Sequence, residues 1–382
     1  MTFTANVSLK AQALFVGTEQ QLWVSNGGML TVHGDLDNAG EITNNGELSV
    51  SGNWTMQGEY VEGTGLVVLN GKEGQQIDHD GQRFFQLSIE SGGDKSILSN
   101  ILVSSALYLD SGIIRAENDQ QVILAAEAEI FGGNQDSFVE GIVVNSGTGY
   151  KLFPVGKDNQ YLPVELLDVR GNNPMLSAEV IEPQPQPLDL SGLERVSSQR
   201  YWQVNTLMGN YEGSVVRLGI ADEPDFSTLS GLVVAAAPQL SSTYISLGAA
   251  EVVGTLDEGS ITSENPTNLP ILTLGLSAEF SEEGEVLVPN AFAPDSPLEE
   301  DRNLSIFAVN LAPEDFVFRI FNRWGKLVYE TTSLDEALET GWNGINQETN
   351  QPAQFGVYSY YLSGKFSDNE PVMKKGTLTL FR

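Results

Sequence analysis

Apolar and polar residues alternate with a period of two along most of the chain, in short runs broken by glycine. Such runs include Leu22-Trp23-Val24, Met29 to Leu36 and Glu47 to Met56. Period-two alternation places every second side chain on one face of a strand. In the third run Leu48, Val50, Trp54 and Met56 are expected on one face, with Gly52 between. Phe85, Leu87 and Ile89 alternate, as do Leu107 and Leu109. Long patterns of helical period are absent, so the chain reads as all-β. Asn26-Gly27, Ala39-Gly40, Asn45-Gly46 and Asn70-Gly71 punctuate the runs. Asn and Gly tolerate positive φ, which suits tight corners. The texture "GELSVSGNW" following "GGMLTVHGDL" suggests a degenerate repeat. Residues 14–130 are therefore expected to form a β-solenoid-like region or irregular stacked sheet, in which each short rung buries its face on the next. A β-sandwich is the alternative.

A second region, 131–277, carries "YKLFPVGKDNQYLPVELLDV", "RYWQVN", "SVVRLGI", "GLVVAAA" and "ILTLGLS". These read as strands of a sandwich. Glu182-Pro183-Gln184-Pro185-Gln186-Pro187 cannot join a central ladder, because proline lacks the N–H donor, and reads as a long loop or edge. Ser191-Gly192-Leu193-Glu194 is expected to cap a short helical turn. The acidic stretch 278–285 breaks the strand pattern and is placed as a linker. From 286 to 382 strand signals are dense. "FVFRIFNRWGKLVYE" reads as a hairpin or bulged strand around Asn322-Arg323-Trp324-Gly325. "FGVYSYYLSGKF" and "KKGTLTLFR" read as strands, Thr377, Thr379 and Phe381 opposing Leu378 and Leu380. Ser333-Leu334-Asp335-Glu336 has capping-box spacing and predicts one short helix before Trp342.

Charge narrows the function. The chain has 382 residues, with 19 Lys+Arg against 51 Asp+Glu and a formal charge of -32. That field repels phosphate backbones and anionic membranes, which argues against a nucleic-acid partner. There are no cysteines, so disulfides, thiol catalysis and thiolate metal sites are excluded. The two histidines, His33 and His79, cannot make a histidine-rich metal site. No stretch is long and apolar enough to predict a membrane-spanning segment. Ala11-Gln12-Ala13 has the A-x-A form of a signal-peptidase site, without the basic and apolar segments that should precede it. Residues 1–13 are read as a signal-peptide remnant, Met1 then lying inside a longer leader, or as a disordered terminus.

Five pieces near the C-terminus resemble a known family when taken together: "VPNAFAP" (288–294), "IFNRWGKLVYE" (320–330), "GWNG" (341–344), "FGVYSYYL" (355–362) and "KKGTLTLFR" (374–382). Their order and spacing are similar to those of the gliding motility-associated C-terminal domain of Bacteroidota, the type B sorting domain of the type IX secretion system. The resemblance implies an Ig-like β-sandwich, export through the periplasm, and a cell-surface or secreted destination. The implied partners are the type IX translocon and its outer-membrane shuttle protein. One departure stands out. Where the family carries an N-G-D-G-x-N-D-like loop, this chain reads Asp295-Ser296-Pro297-Leu298-Glu299-Glu300-Asp301-Arg302-Asn303, without the glycines. Trp342-Asn343-Gly344 replaces W-D-G.

A compact terminal β-domain can offer a receptor a strand edge and an aromatic surface. The residues nominated for translocon recognition are Arg323, Trp324, Gly325, Lys374, Lys375, Gly376 and Arg382, since Arg and Trp are residue types of binding hot spots. The competing reading makes Trp324 and Trp342 core residues and Arg323 a packed stem with a solvated head.

Other candidate chemistry is sparse. Asp35-Leu36-Asp37 before Gly40 has the start of a calcium loop, but Ala39 and Gly46 stand where ligands belong, so it reads as a turn. Asp78-His79-Asp80-Gly81 reads as an exposed Asx-type turn, with a cation site as the alternative. His33 reads as a strand residue. A Ser-His-Asp set would need His33 or His79, and neither has a G-x-S-x-G elbow. No P-loop and no G-x-G-x-x-G before a helix occurs, and no cofactor is expected. The leading expectation is a non-enzymatic structural or adhesive surface protein. A carbohydrate- or ligand-binding module, possible partner of a surface polysaccharide, is second. A polysaccharide-degrading enzyme is third, disfavoured because Lys72, Arg83, Lys95 and Arg115 do not cluster in sequence. Exposure of Trp23, Trp54 and Tyr60 on one face would favour sugar binding; their burial, a structural role.

Overall fold

The computed structural model describes residues 8–11, 13–116, 118–185, 189–278, 285–298, 301–366 and 371–381. Expectations for residues 1–7, for most of the 278–285 linker and for Arg382 fall outside them. The chain forms two compact units, Met1–Phe280 and Ser281–Arg382.

The first unit begins as a solenoid of parallel strands on three faces. One face stacks Ser8–Ala11, Met29–Val32, Glu47–Val50, Leu66–Leu69, Arg83–Ile89 and Ile101–Leu109. The second stacks Leu14–Val16, Leu36–Asn38, Trp54–Met56, Gln75–Asp78, Lys95–Ile97 and Ile114–Ala116. The third holds Gln21–Val24, Glu41–Asn44 and Glu59–Val61. The suspected repeat is real at residue level: Leu30 pairs with Leu48 and Val32 with Val50. Each short strand alone buries little, and stacking neighbours creates one apolar column from Val16 through Leu124.

Several local expectations change in this frame. Leu48 and Val50 lie on one strand and Trp54 and Met56 on another, so the run turns a corner at Ser51–Asn53; all four point inward. Of the four predicted corner glycines, Gly27 alone has positive φ (+73°). Gly40, Gly46 and Gly71 are required for a different reason. A Cβ on Gly46 would lie 2.3 Å from the Gly28 carbonyl oxygen and 2.5 Å from that of Ser25, in the preceding coil. A register shift between Phe84 and Gln86 turns Phe84 into the core in place of Phe85. His33 sits in an exposed bend after its strand rather than within it. Asp37 is a strand residue, not a turn, and Asp35 accepts the N–H of Asn53 at 2.7 Å.

Parallel stacking runs on past 130/131. Glu129–Gly132 pairs with the Ile101–Leu109 strand, and Ile142–Ser146 is the hinge of topology. One edge of Ile142–Ser146 pairs in parallel with Gln121–Leu124; the other pairs antiparallel with Val164–Ile181. That long strand serves two layers. Its first part pairs with Gly149–Phe153 and Val216–Ile220, and its later part with Tyr201–Gly213. Leu232–Ala237 and Ile271–Ser277 complete the second layer. The sandwich and the solenoid share one core. The predicted helical turn at Ser191–Glu194 is instead strand, Leu190–Ser191 and Leu193–Val196, with Gly192 at φ +69°.

In the second unit a five-stranded sheet runs in the order Ala291–Phe292, Pro371–Leu380, Gly356–Lys365, Val317–Phe321, Leu327–Thr331. The outer four strands on one side are antiparallel; Ala291–Phe292 joins in parallel. A ribbon of Glu285–Leu287 with Phe307–Val309 stands apart from this sheet. The expected hairpin and its bulge both form, the register shifting between Ile320 and Phe321. The expected helix is one π-helical turn, Glu336–Thr340. Half of the capping box forms: Ser333 Oγ accepts the Glu336 N–H at 3.2 Å. The Glu336 carboxylate turns instead to Thr331 Oγ1, at 2.6 Å, and to the Tyr329 hydroxyl.

Candidate functional site

The five family-like pieces separate into residues that build the core of the second unit and residues that do not. Trp342 is its centre. Its ring lies 5.3 Å from that of Phe292 and 5.1 Å, edge-on, from that of Tyr358. Its Nε1 donates to the Ile345 carbonyl at 2.8 Å. Gly344 has φ +79°, and a Cβ there would meet Pro294 at 2.7 Å and Leu380 at 3.2 Å. Four pieces thus converge on one packed point: P-N-A-F-x-P through Phe292 and Pro294, W-N-G through Trp342 and Gly344, the penultimate strand through Tyr358, and the last through Leu380.

The N-R-W-G tip behaves differently. Asn322 Oδ1 accepts the N–H groups of Trp324 and Lys326, both at 3.0 Å, and Gly325 takes φ +74° with open space around it. These bonds hold the turn without needing Trp324, whose side chain is 82% exposed. The competing reading of this residue is therefore overturned for Trp324 and holds for Trp342. The Arg323 guanidinium carbon lies 5.5 Å from the Trp324 ring centroid, a cation–π arrangement. Arg323 and Trp324 line one depression with Phe355 and Val357. Phe355, which opens the "FGVYSYYL" piece, is 78% exposed and joins the tip as a residue that the sequence pattern alone does not single out.

Lys374, Lys375 and Gly376 lie on the last strand. Across the exposed sheet face, Glu330, Arg319, Tyr361 and Lys375 form one in-register rung over four strands. Arg319 Nε donates to the Glu330 carboxylate. Lys375 Nζ lies 5.5 Å from the Tyr361 ring centroid. Tyr361 is thus flanked by two cations, a feature invisible until strand register is known. Gly376 has a packing reason: a Cβ there would lie within 2.6 Å of the Tyr360 hydroxyl oxygen. In the loop that departs from the expected pattern, Arg302 Nε donates to the Ser296 carbonyl at 2.8 Å and its Nη2 to the Pro297 carbonyl at 3.4 Å, so a guanidinium laces the turn.

The first unit places its titratable groups inward. His79 is fully buried, stacked 3.7 Å from Phe84, and its Nδ1 accepts the Trp54 Nε1–H at 3.0 Å. Burial pushes the imidazole down to about 3, which keeps it neutral. Its neighbours do form the expected Asx turn, Asp80 N donating to Asp78 Oδ1 at 3.2 Å. A second cluster gathers residues distant in sequence. Arg200 Nε contacts Glu182 at 2.7 Å, and its Nη1 contacts Glu223 at 3.2 Å. Ser197 Oγ donates to Glu223 at 2.7 Å. Burial raises the Glu223 carboxyl to about 7, with Ser197 and Arg200 acting against the shift. Among the described residues no group of three or more acidic or histidine side chains is placed to hold a metal ion. Among the described residues no helix is long and apolar enough to cross a membrane.

Residues 286–380 match the family model described as the CHU_C type IX secretion signal domain. No curated protein and no solved structure matches the chain. The matched span coincides with the second compact unit, which carries the signal for type IX secretion and implies export to the cell surface or release.

Proposed function

We propose that this protein is a non-enzymatic, structural or adhesive β-scaffold, exported through the periplasm and delivered by its C-terminal unit to the outer face of the outer membrane. The observation that carries the reading is the secretion signal domain at 286–380, folded as a unit of its own. Recognition by the translocon and its shuttle protein is assigned to the exposed Arg323–Trp324 tip with Phe355, because Asn322 and Gly325 already satisfy the turn. Exposed aromatic and Arg side chains without a structural duty are the usual anchors of an interface.

The scaffold role of the first unit is supported by the environment of its aromatic residues. Trp54 and Tyr60 are buried in the coil interior with His79 and Phe84, while Trp23 is half exposed. Two of the three aromatics that a sugar platform would use are thus spent on the core. Fractionation of a native host with and without a working type IX translocon tests the proposal. Surface or medium localisation that depends on the translocon is expected, as is periplasmic retention on deletion of 374–382. Surface delivery without the translocon would sink it.

A further inference from the structure

The two edges of the C-terminal sheet are treated unequally. At the Leu327–Thr331 edge, Gln347 closes the ladder. Its N–H donates to the Val328 carbonyl at 2.9 Å, its Oε1 accepts the Glu330 N–H at 2.7 Å, and its Nε2 donates to the Glu330 carbonyl at 3.1 Å. One residue thereby imitates a neighbouring strand.

The opposite edge is left unfinished. Pro371–Leu380 pairs along its whole length with Gly356–Lys365, but on its other side, among the described residues, it pairs only with Ala291–Phe292. There Thr379 N donates to Asn290 O at 2.9 Å and Phe381 N to Phe292 O at 3.0 Å. Upstream of Asn290 the chain departs to pair Glu285–Leu287 with Phe307–Val309. Alternate residues of a strand direct their N–H and C=O to the same side. Met373, Lys375 and Thr377 therefore present theirs on the side of Thr379, and among the described residues no strand pairs with them. Met373, Lys374, Lys375 and Thr377 are all exposed.

We propose that this edge receives an extended, carboxylate-bearing segment of a protein partner as an added sixth strand, the partner being the sorting receptor of the preceding section, on whose assignment this inference rests. Charge selects the occupant. The chain carries -32 overall, yet this edge bears the adjacent pair Lys374-Lys375, the one place in the sequence with two neighbouring basic residues. A second copy of the same edge would bring lysines against lysines, and edge lysines are a known deterrent to self-pairing. An acidic strand relieves that repulsion and satisfies the open backbone groups, as in other strand additions.

The test uses the full chain in a host with a working type IX system. Lys375→Pro deletes an N–H on the open side and leaves the donors facing Gly356–Lys365 in place; edge positions tolerate proline. Surface delivery is expected to fall about tenfold, the factor for roughly one or two lost pairing bonds. The double reversal Lys374→Glu with Lys375→Glu alters only exposed side chains and is expected to lower delivery similarly with an unchanged melting temperature; it decides the matter should the proline variant fail to fold. Normal delivery of the double reversal overturns the edge proposal. If deletion of 286–382 blocks export at the same time, the sorting assignment survives that failure; if the deletion leaves export intact, the sorting assignment itself falls. A purified wild-type dimer that dissociates in the double reversal would also overturn the proposal, since the edge would then belong to a second copy.

Discussion

Trp324 and Trp342 belong to the same motif set and occupy opposite environments: Trp324 is 82% exposed at a hairpin tip, and Trp342 is 1% exposed against Phe292. Residue type alone does not distinguish them. What does is the turn chemistry: the Asn322 side chain holds the tip without the Trp324 ring, whereas the Trp342 ring is itself held, by packing and by its Nε1 bond to the Ile345 carbonyl.

The pair therefore gives opposite mutational signatures. Trp342→Ala removes a large buried ring and is expected to destabilise the C-terminal unit by about 3–5 kcal/mol. Trp324→Ala is expected to leave stability within about 0.5 kcal/mol, as for surface substitutions generally, yet to reduce surface delivery. Denaturant unfolding of the full chain beside cell fractionation separates the two. Unimpaired delivery of Trp324→Ala would remove the tip from the recognition surface.

Corner glycines offer a second contrast. Gly46→Ala places a Cβ against two carbonyl oxygens of the preceding coil, and backbone cannot step aside as a flexible side chain can. A loss on the order of 1–3 kcal/mol is expected. Gly27→Ala meets nothing within 4 Å and pays only for its φ of +73°, about 1 kcal/mol. Thermal unfolding of the two variants should rank Gly46→Ala as the more damaged.

Acid sensitivity of the first unit follows from His79. Its folded pKa lies near 3, against 6.5 for the free side chain, because burial disfavours the imidazolium. Between these values the unfolded chain binds a proton that the folded chain does not. The stability contributed is thus present above pH 6.5 and is lost as pH falls toward 3, by about 1.4 kcal/mol per pH unit. Glu223 has the opposite sign. Its raised pKa of about 7 gives stability present below 4.5 that is lost as pH rises through 7. The two slopes oppose each other between pH 4.5 and 6.5. Unfolding free energies of wild type and His79→Gln should therefore converge as pH is lowered through that window; a constant difference would show that His79 titrates normally.

The sequence made some features legible and hid others for identifiable reasons. Period-two alternation marks strands wherever one face is buried, so Leu30, Val32, Leu48 and Val50 announced both their strands and their repeat. Four of the five terminal pieces meet at Trp342 and Gly344, which ties their order and spacing to one packed point. Alternation says nothing about which coil face a strand joins, so the corner between Val50 and Trp54 looks in sequence like a continuous run. Nor does it show what approaches a glycine from another coil, so Gly40 and Gly46 look in sequence like turn glycines. Clusters such as Arg200 with Glu182 and Glu223, and the rung through Arg319, Tyr361 and Lys375, depend on register between distant strands and have no local signature.

Gln75 and Lys95 are register partners in adjacent coils, and both turn polar ends inward to backbone carbonyls. Gln75 Nε2 donates to Val50 O at 3.1 Å and to Gly52 O at 2.5 Å, while its Oε1 accepts Gly71 N at 2.7 Å. Lys95 Nζ donates to Gly71 O at 3.2 Å, to Glu90 O at 3.3 Å and to Gly93 O. An amide does in one coil what an ammonium does in the next. Lys95→Met should strand these carbonyls without a donor and cost about 1–3 kcal/mol. Lys95→Gln should recover part of that loss by repeating the arrangement of Gln75. Burial lowers the Lys95 amine to about 8 from 10.5, with Asp94 partly offsetting it. Between those values the unfolded chain holds the extra proton, so wild type should gain stability relative to Lys95→Gln as pH rises from 8 to 10.5. Chemical denaturation across that range measures the gain, and a flat difference would mean that the ammonium is as well solvated inside the coil as in water.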